Sequence, residues 1–413
     1  MAPQKVTGKV TGPVKAAKSG PEVDKLRGKI EEVTSGYMKL FGKILPKGTV
    51  IIKKPGNTAV SEGVGFSGLI LCKSGKIGAD GLVLSQDNSI QSQNRYWQVY
   101  NARREYFLKS SGVMAWEVDG SGNKISEDSA SDGDQDWIAS EIMVLKKLES
   151  SEWKIPQVLS ITGFKKQIQK DLDAFWNSHI EKVNGRLIFL SSDGSWAKRG
   201  DGRNIYYPSY PDPHFLQMFA EVDKGHDWTK LTKDVQDLNA VILDNYKKLG
   251  AIGQNPMPAK VFVSVSNGGY TAENYYIVSR NEGVTGDALK DNEADSIRFI
   301  LRQARAAMLD NDVRAKEILR KLLNVAMIDG VSTVHIYAGD SKAPSKWGWN
   351  NTVARACYGV AVYAVEGEQK AKTFINSVFN DFKGDYFGEW EGAKDYYYDQ
   401  SLILQVLNLI YND

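Results

Sequence analysis

The sequence predicts an all-α protein whose paired helices form a single ring with a binding groove on one face. Two observations carry this expectation. Twelve segments space their apolar residues three and four apart, as helices with one buried stripe do. Long polar loops rich in Gly, Asp and Asn separate them, and loops of that length in a compact chain usually carry function. An array of separate helical bundles is the alternative arrangement. No short repeat is visible along the chain.

The segments follow in chain order. The first covers about residues 22–40, with Leu26, Ile30, Val33, Tyr37 and Leu40 on one face. The second, third and fourth span about 61–72, 95–108 and 135–148. The fifth, about 157–179, carries Phe164, Ile168, Leu172 and Phe175. The sixth lies near 213–222. The seventh, near 230–249, carries Leu231, Val235, Leu238, Ile242 and Tyr246. The eighth and ninth cover about 293–309 and 312–328. The last three lie near 352–365, 369–382 and 399–411. Polar loops fill 73–94, 117–134, 191–212 and 250–292, with short β pieces expected near 187–190 and 260–265.

Composition narrows the classes. A length of 413 residues gives a prior of two or three domains. It is ample for a large core without disulfides or structural zinc. Cys72 and Cys357 are the only cysteines, so one bridge is the most they allow. A net charge of +2 argues against a general nucleic-acid binder, which needs a basic excess. No apolar run approaches the ~18 residues of a membrane span. Residues 1–20 contain Lys5, Lys9, Lys15 and Lys18, with no acid before Glu22. They lack the apolar stretch of a secretory signal. A flexible basic tail is expected there, or an arm that docks on another copy of the chain. His179, His214, His226 and His335 show no metal-ligand spacing, so no metal or cofactor is expected. Asn350-Asn351-Thr352 matches a glycosylation sequon by pattern.

Two clusters carry the chemistry. In Ser61-Glu62-Gly63-Val64-Gly65, Ser61 is a plausible N-cap and Glu62 sits where the helix dipole favours a carboxylate. The glycines around it cost about 1 kcal/mol each in a helix. They therefore point to close approach by a backbone, by large side chains or by substrate. In Ala130-Ser131-Asp132-Gly133-Asp134-Gln135-Asp136-Trp137, three acids alternate. The start resembles a calcium loop, but the later ligand spacing is missing. Asp134 is expected as an N-cap, with Asp132 in the loop above it.

Together these clusters resemble glycoside hydrolase family 8. Ser61–Gly65 is similar to that family's Ser-Glu-Gly-x-Gly segment. Ala130–Ala139 is similar to its Ala-Ser/Thr-Asp-Gly/Ala-Asp signature, with one extra residue. Pro208-Ser209-Tyr210 resembles its tyrosine segment, and Asp295, Arg298 and Arg302 its Asp-x-x-Arg-x-x-x-Arg helix. Asp312–Lys316 and the C-terminal stretch 397–409 continue the likeness in the family's order. The resemblance implies an (α/α)6 barrel of six helical hairpins, covering residues 21–413 as one domain. It implies inverting hydrolysis of a β-1,4-linked polysaccharide such as glucan, xylan or chitosan, outside the cytoplasm. By the same resemblance Glu62 is the proton donor, and Asp132 and Asp134 form the acidic pair that contacts the central sugar. Trp97, Trp137, Tyr207 and Tyr210 are candidate stacking platforms, with Trp196, Tyr206, Trp347 and Trp349 beside the loops. Arg298 is a candidate substrate contact.

One position departs from the pattern. In many family members the base is an Asp four residues after the second Arg, which here is Ala306. A methyl group accepts no proton. Three readings follow: a base relocated to Asp291, Glu293 or Asp295, an engineered inactive variant, or a natural pseudoenzyme. Asp295 also fits as the structural partner of an Arg. Asp310, one helical turn farther on, stands about 5.4 Å away. The alternative function is accordingly a non-catalytic structural or glycan-binding protein that self-assembles through residues 1–20.

Overall fold

A computed structural model describes residues 20–53, 56–73, 92–199, 201–245, 260–274, 293–328, 333–334, 352–389 and 391–412. Most of the tail 1–20, the loops near 74–91, 250–259 and 275–292, and Asp291, His335, Trp347, Trp349, Asn350 and Asn351 lie outside them. Among the described residues are twelve α-helices: α1 (Pro21–Phe41), α2 (Ser61–Lys73), α3 (Ser92–Ala102), α4 (Ser131–Glu149), α5 (Ile161–His179) and α6 (Pro213–Val222). Then follow α7 (Trp228–Asp244), α8 (Glu293–Leu309), α9 (Val313–Ala326), α10 (Thr352–Glu366), α11 (Glu368–Asn380) and α12 (Tyr397–Tyr411).

The even-numbered helices form a closed inner ring. Each packs on the next, from α2 through α4, α6, α8 and α10 to α12, and α12 packs back on α2. Each odd-numbered helix packs outside an inner one: α1 on α12, α3 on α2, α5 on α4, α7 on α6, α9 on α8 and α11 on α10. This is the (α/α)6 barrel. The side chains follow from the two environments. The outer helix α1 buries Ile30, Val33, Tyr37 and Phe41 and exposes Glu22, Asp24 and Lys25. The inner helix α12 is buried without a break from Gln400 to Tyr411, as a helix enclosed on all sides must be. One hydrophobic core runs through the ring.

Helix boundaries agree with the apolar periodicity, with physical exceptions. α4 begins at Ser131 rather than near Gln135, so Asp132 and Asp134 both lie in its first turn. Asp134 does not cap it; Ala130 holds the cap position. α5 begins at Ile161, because the Ser160 side chain accepts from Gly163 N at 3.0 Å and ends the preceding loop. α7 begins at Trp228, capped by Asp227. α3 runs into a π-helical turn, Arg103–Phe107.

Short strands decorate the ring. β1 (Gly42–Leu45), β2 (Gly48–Lys53), β3 (Thr58–Val60), β4 (Glu117–Val118) and β5 (Lys124–Ser126) form an antiparallel sheet in that order. It leads the chain into α2 and holds the loop before α4. The expected β pieces occur as β7 (Arg186–Phe189), paired with β6 (Ile180–Val183), and β9 (Val261–Ser266). The latter lies between β8 (Asn204–Tyr206) and β10 (Gly269–Asn274).

Candidate active site

The inner helices bring their N-terminal ends to one face of the ring. Glu62 is the second residue of α2, Asp132 the second of α4, Arg298 the sixth of α8 and Tyr397 the first of α12. β3 feeds directly into α2, and Ser61 N donates to the Trp116 carbonyl at 2.9 Å, which fixes where the helix begins. Ser61 is the first helical residue and not a side-chain cap: its hydroxyl is buried without a hydrogen-bond partner among the described residues. The glycines serve close backbone approach. A Cβ at Gly65 would stand 2.8 Å from both Asp136 Cβ and the Gly133 carbonyl oxygen, and one at Gly133 would stand 2.6 Å from the Ser61 carbonyl carbon. Glycine is thus what allows α2 and α4 to touch where Glu62 and Asp132 emerge.

Four side chains from four helices meet there. Arg298 Nη1 donates to Glu62 Oε2 at 2.6 Å and to Asp132 Oδ2 at 2.5 Å. Tyr397 Oη donates to Glu62 Oε1 at 2.6 Å. Glu62 keeps 16% side-chain exposure, whereas Asp132 and Arg298 are buried. Asp132 Oδ1 is buried with no hydrogen-bond partner among the described residues. Such an oxygen calls for a donor, since a buried unpaired acceptor costs about 1–3 kcal/mol. The two carboxylate oxygens on Arg298 stand no more than about 5 Å apart, closer than the ~6.5–9.5 Å between an inverting acid and base. Glu62 and Asp132 are therefore not such a pair. The Arg298 guanidinium also lies 4.9 Å from the Tyr210 ring, a cation–π distance.

A second set of buried charges supports the first. Arg302, one turn along α8, holds Asp136 through two hydrogen bonds of 2.5 and 3.1 Å. It also donates to the Ser209 carbonyl at 2.8 Å, which anchors the segment carrying Tyr210. Burial alone would lower the Arg302 guanidinium, but Asp136 and Asp212 push it up, so the charge is retained. Arg305 bonds Asp212, the cap of α6, and donates to Gln405 on α12 at 3.1 Å. The helices α4, α6, α8 and α12 are thus cross-braced.

Several expected residues sit elsewhere. Asp134 is buried, accepting from Met114 N at 2.9 Å and meeting His179 Nε2 at 3.3 Å. Burial pushes its carboxyl up by more than His179 and Arg103 pull it down. It braces the 113–116 loop and does not touch Arg298. Trp137 is fully buried and stacks on Tyr96 at 5.3 Å, and Trp97 packs edge-on to Tyr96, Tyr100 and Phe164. Neither presents a face to a ligand; both belong to the core. Tyr206 is likewise buried, bonding Asn239 at 2.9 Å. Tyr207 and Tyr210 are half-buried and stack on each other at 4.6 Å. Trp196 and Trp116 are each 42% exposed, and Trp116, beside Ser61, is an aromatic that the sequence reading missed. Tyr397 was visible only as part of a family-like stretch; its signal is the Tyr396-Tyr397-Tyr398 run opening the last helix.

Ala306 is fully buried in the main core. It stands eight positions beyond Arg298 on the same helix, a rise of ~12 Å along the axis. Glu293 and Asp295 belong to the first turn of α8, at the end nearer Arg298; their side chains lie outside the described residues. Asp310 is engaged by His214 Nδ1 at 2.9 Å. Among the described residues, one group of potential metal ligands comes together elsewhere, Asp173, Asp223 and His226. Asp223 is already committed there to Trp228, Gly225, Gln169 and His226.

Ring and acidic cluster together define an (α/α)6 barrel with a cluster of carboxylates at one face. Solved structures bear out the resemblance to family 8 at the level of fold. A β-1,3-1,4-glucanase from Paenibacillus sp. X4 superposes with TM-score 0.71 at 17% identity, over 98% of this chain and 96% of that one. The endo-β-1,4-glucanase CMCax from Acetobacter xylinum gives TM-score 0.62 at 14% identity, over 94% and 99%. Rex8A from Paenibacillus barcinonensis, complexed with xylose, gives 0.62 at 14%, over 95% and 94%. By sequence, Endoglucanase C of Ruminiclostridium cellulolyticum is 26% identical over 184 residues, 43% of this chain. That match spans about a third of the relative's own length. No family model matches the chain.

Proposed function

We propose that the chain is a family 8-like glycoside hydrolase that cleaves a β-1,4-linked glucan or xylan with inversion. The observation that carries this reading is Glu62, partly exposed at the mouth of the ring and gripped by Arg298 and Tyr397. Glu62 delivers a proton to the leaving glycosidic oxygen. Asp132 Oδ1, buried and without a partner among the described residues, accepts a hydroxyl of the sugar beside it. Tyr207, Tyr210, Trp116 and Trp196 offer faces for sugar rings. Water is activated by a carboxylate at the N-terminal end of α8 or just before it, from Asp291, Glu293 or Asp295. The burial of Ala306 supports this relocation, because a base must face the groove from the side opposite the acid. The test is release of reducing ends from β-1,4-glucan, mixed-linkage β-glucan and xylan, with the product anomer followed by NMR. Glu62→Gln is expected to lower the rate by about 10²–10⁴. Equal rates for the two proteins would remove Glu62 from the mechanism, and a β-anomer as first product would remove inversion.

A further inference from the structure

Glu62 has a partner that the assignment of an acid does not require. Tyr397 Oη donates to Oε1 at 2.6 Å while Arg298 holds Oε2. The tyrosine is itself fixed. Its carbonyl accepts from Ser401 Oγ at 2.7 Å, that hydroxyl meets Tyr37 Oη at 3.0 Å, and its ring lies edge-on to Phe41. Burial, and then Glu62 itself, push the Tyr397 phenol well above its usual range, so it remains a proton donor. A donor aimed at a carboxylate oxygen favours the ionised form, yet a general acid must be protonated when substrate arrives. The charged and titratable groups around Glu62 include Arg298 on α8, Asp132 on α4 through that arginine, Tyr37 on α1 and Tyr397 on α12, with Tyr210 and Tyr398 against the Arg298 guanidinium. Asp136 lies against Gly65 farther in and is held by Arg302.

We propose that Tyr397 is a positioning residue for Glu62, locking the carboxyl rotamer and setting the pH at which Glu62 takes up its proton. Arg298 is shared with Asp132, so its charge is divided between two carboxylates. The tyrosine hydroxyl is committed to Glu62, and it balances the nearby Asp132 charge, which favours protonation. The alkaline edge of activity therefore depends on a residue from the last helix. This inference rests on Glu62 being the acid, and its test is read without turnover.

The full chain is labelled with ¹³C at glutamate carboxyls, and the Glu62 resonance is assigned by its loss in Glu62→Gln. In Tyr397→Phe the Glu62 midpoint is expected to rise by about one pH unit or more. With 3-fluorotyrosine at position 397, a stronger donor of the same shape, the midpoint is expected to fall. The second protein decides the matter if the Phe variant does not fold. An unchanged midpoint in a folded Phe variant, or a rise with fluorotyrosine, overturns the proposal. Where hydrolysis is measurable, the alkaline limb of kcat follows the midpoint with little change in KM. A uniform loss of kcat with a fixed limb counts against the proposal. Absence of hydrolysis in the unmodified protein sinks the functional reading and leaves the titration to decide this one.

Discussion

Ala306 and Arg298 lie on one helix, yet one is enclosed by core and the other by carboxylates. The difference is depth. Introducing Asp at position 306 buries a charge in the core, and is expected to cost roughly 3 kcal/mol without raising hydrolysis. A lower melting temperature with unchanged or reduced rates checks this; a gain in rate would return the base to that position. Glu141 offers a second residue-level test. It is fully buried 3.7 Å from Arg103, which already holds Asp171 at 2.9 Å. Burial, and then the Asp171 charge, push its carboxyl well above the usual range. A carboxyl raised on folding binds its proton more tightly in the native state. Stability is then lost as pH rises from the ordinary glutamate range through the raised value. Glu141→Gln is expected to stay within about 1 kcal/mol of the unmodified protein at low pH and to flatten that decline, as seen in melts between pH 4 and 9. Glu62 and Asp132 were legible because each sits in a dense local pattern of acid and glycine. Trp137 was not, because a tryptophan one residue after an acid reads alike whether the helix turns it to a groove or to the core.

The contact of α2 with α4 sets the spacing of the acidic cluster. Gly65→Ala is expected to destabilise by about 1–3 kcal/mol, since the new methyl meets Asp136 Cβ and the Gly133 carbonyl at 2.8 Å. Gly28→Ala on α1 meets nothing within 4 Å and is expected to stabilise by about 0.5–1 kcal/mol. Denaturant midpoints of the two variants moving in opposite directions would confirm the contrast; a neutral Gly65→Ala would mean the helices separate freely. Most helix positions were readable, because a stripe at a period of 3.6 is local information. The first turn of α4 was misread as loop. Ser131 through Asp136 carries no apolar residue, and only the surrounding ring shows why it is buried. The sheet of β1 to β5 was unreadable for a related reason. Its short strands pair residues as far apart as Ala59 and Val118, and no nearby sequence records that partner.

The molecule is a ring whose two ends must meet. α12 packs against both α1 and α2, Arg27 Nε donates to the Tyr411 carbonyl at 2.8 Å, and Ser401 joins Tyr37. Deleting residues 396–413 opens the inner ring and exposes the apolar faces of α2 and α10. Loss of a cooperative thermal transition and binding of a hydrophobic dye are expected, as for chains that keep helices but lose fixed packing. A sharp transition near that of the full chain would show that five hairpins suffice. The ring itself was readable from twelve paired helices, but not the order in which they touch. The inner N-termini also bring the positive ends of their dipoles together where the carboxylates gather. Ring closure has a consequence in time as well as in space. A chain emerging from the ribosome through residue 350 already holds Glu62, Asp132 and Arg298, but not the tyrosine that grips Glu62. The cluster is completed only when α12 docks on α1 and α2, so the site cannot be finished before residues 397–411 have been made.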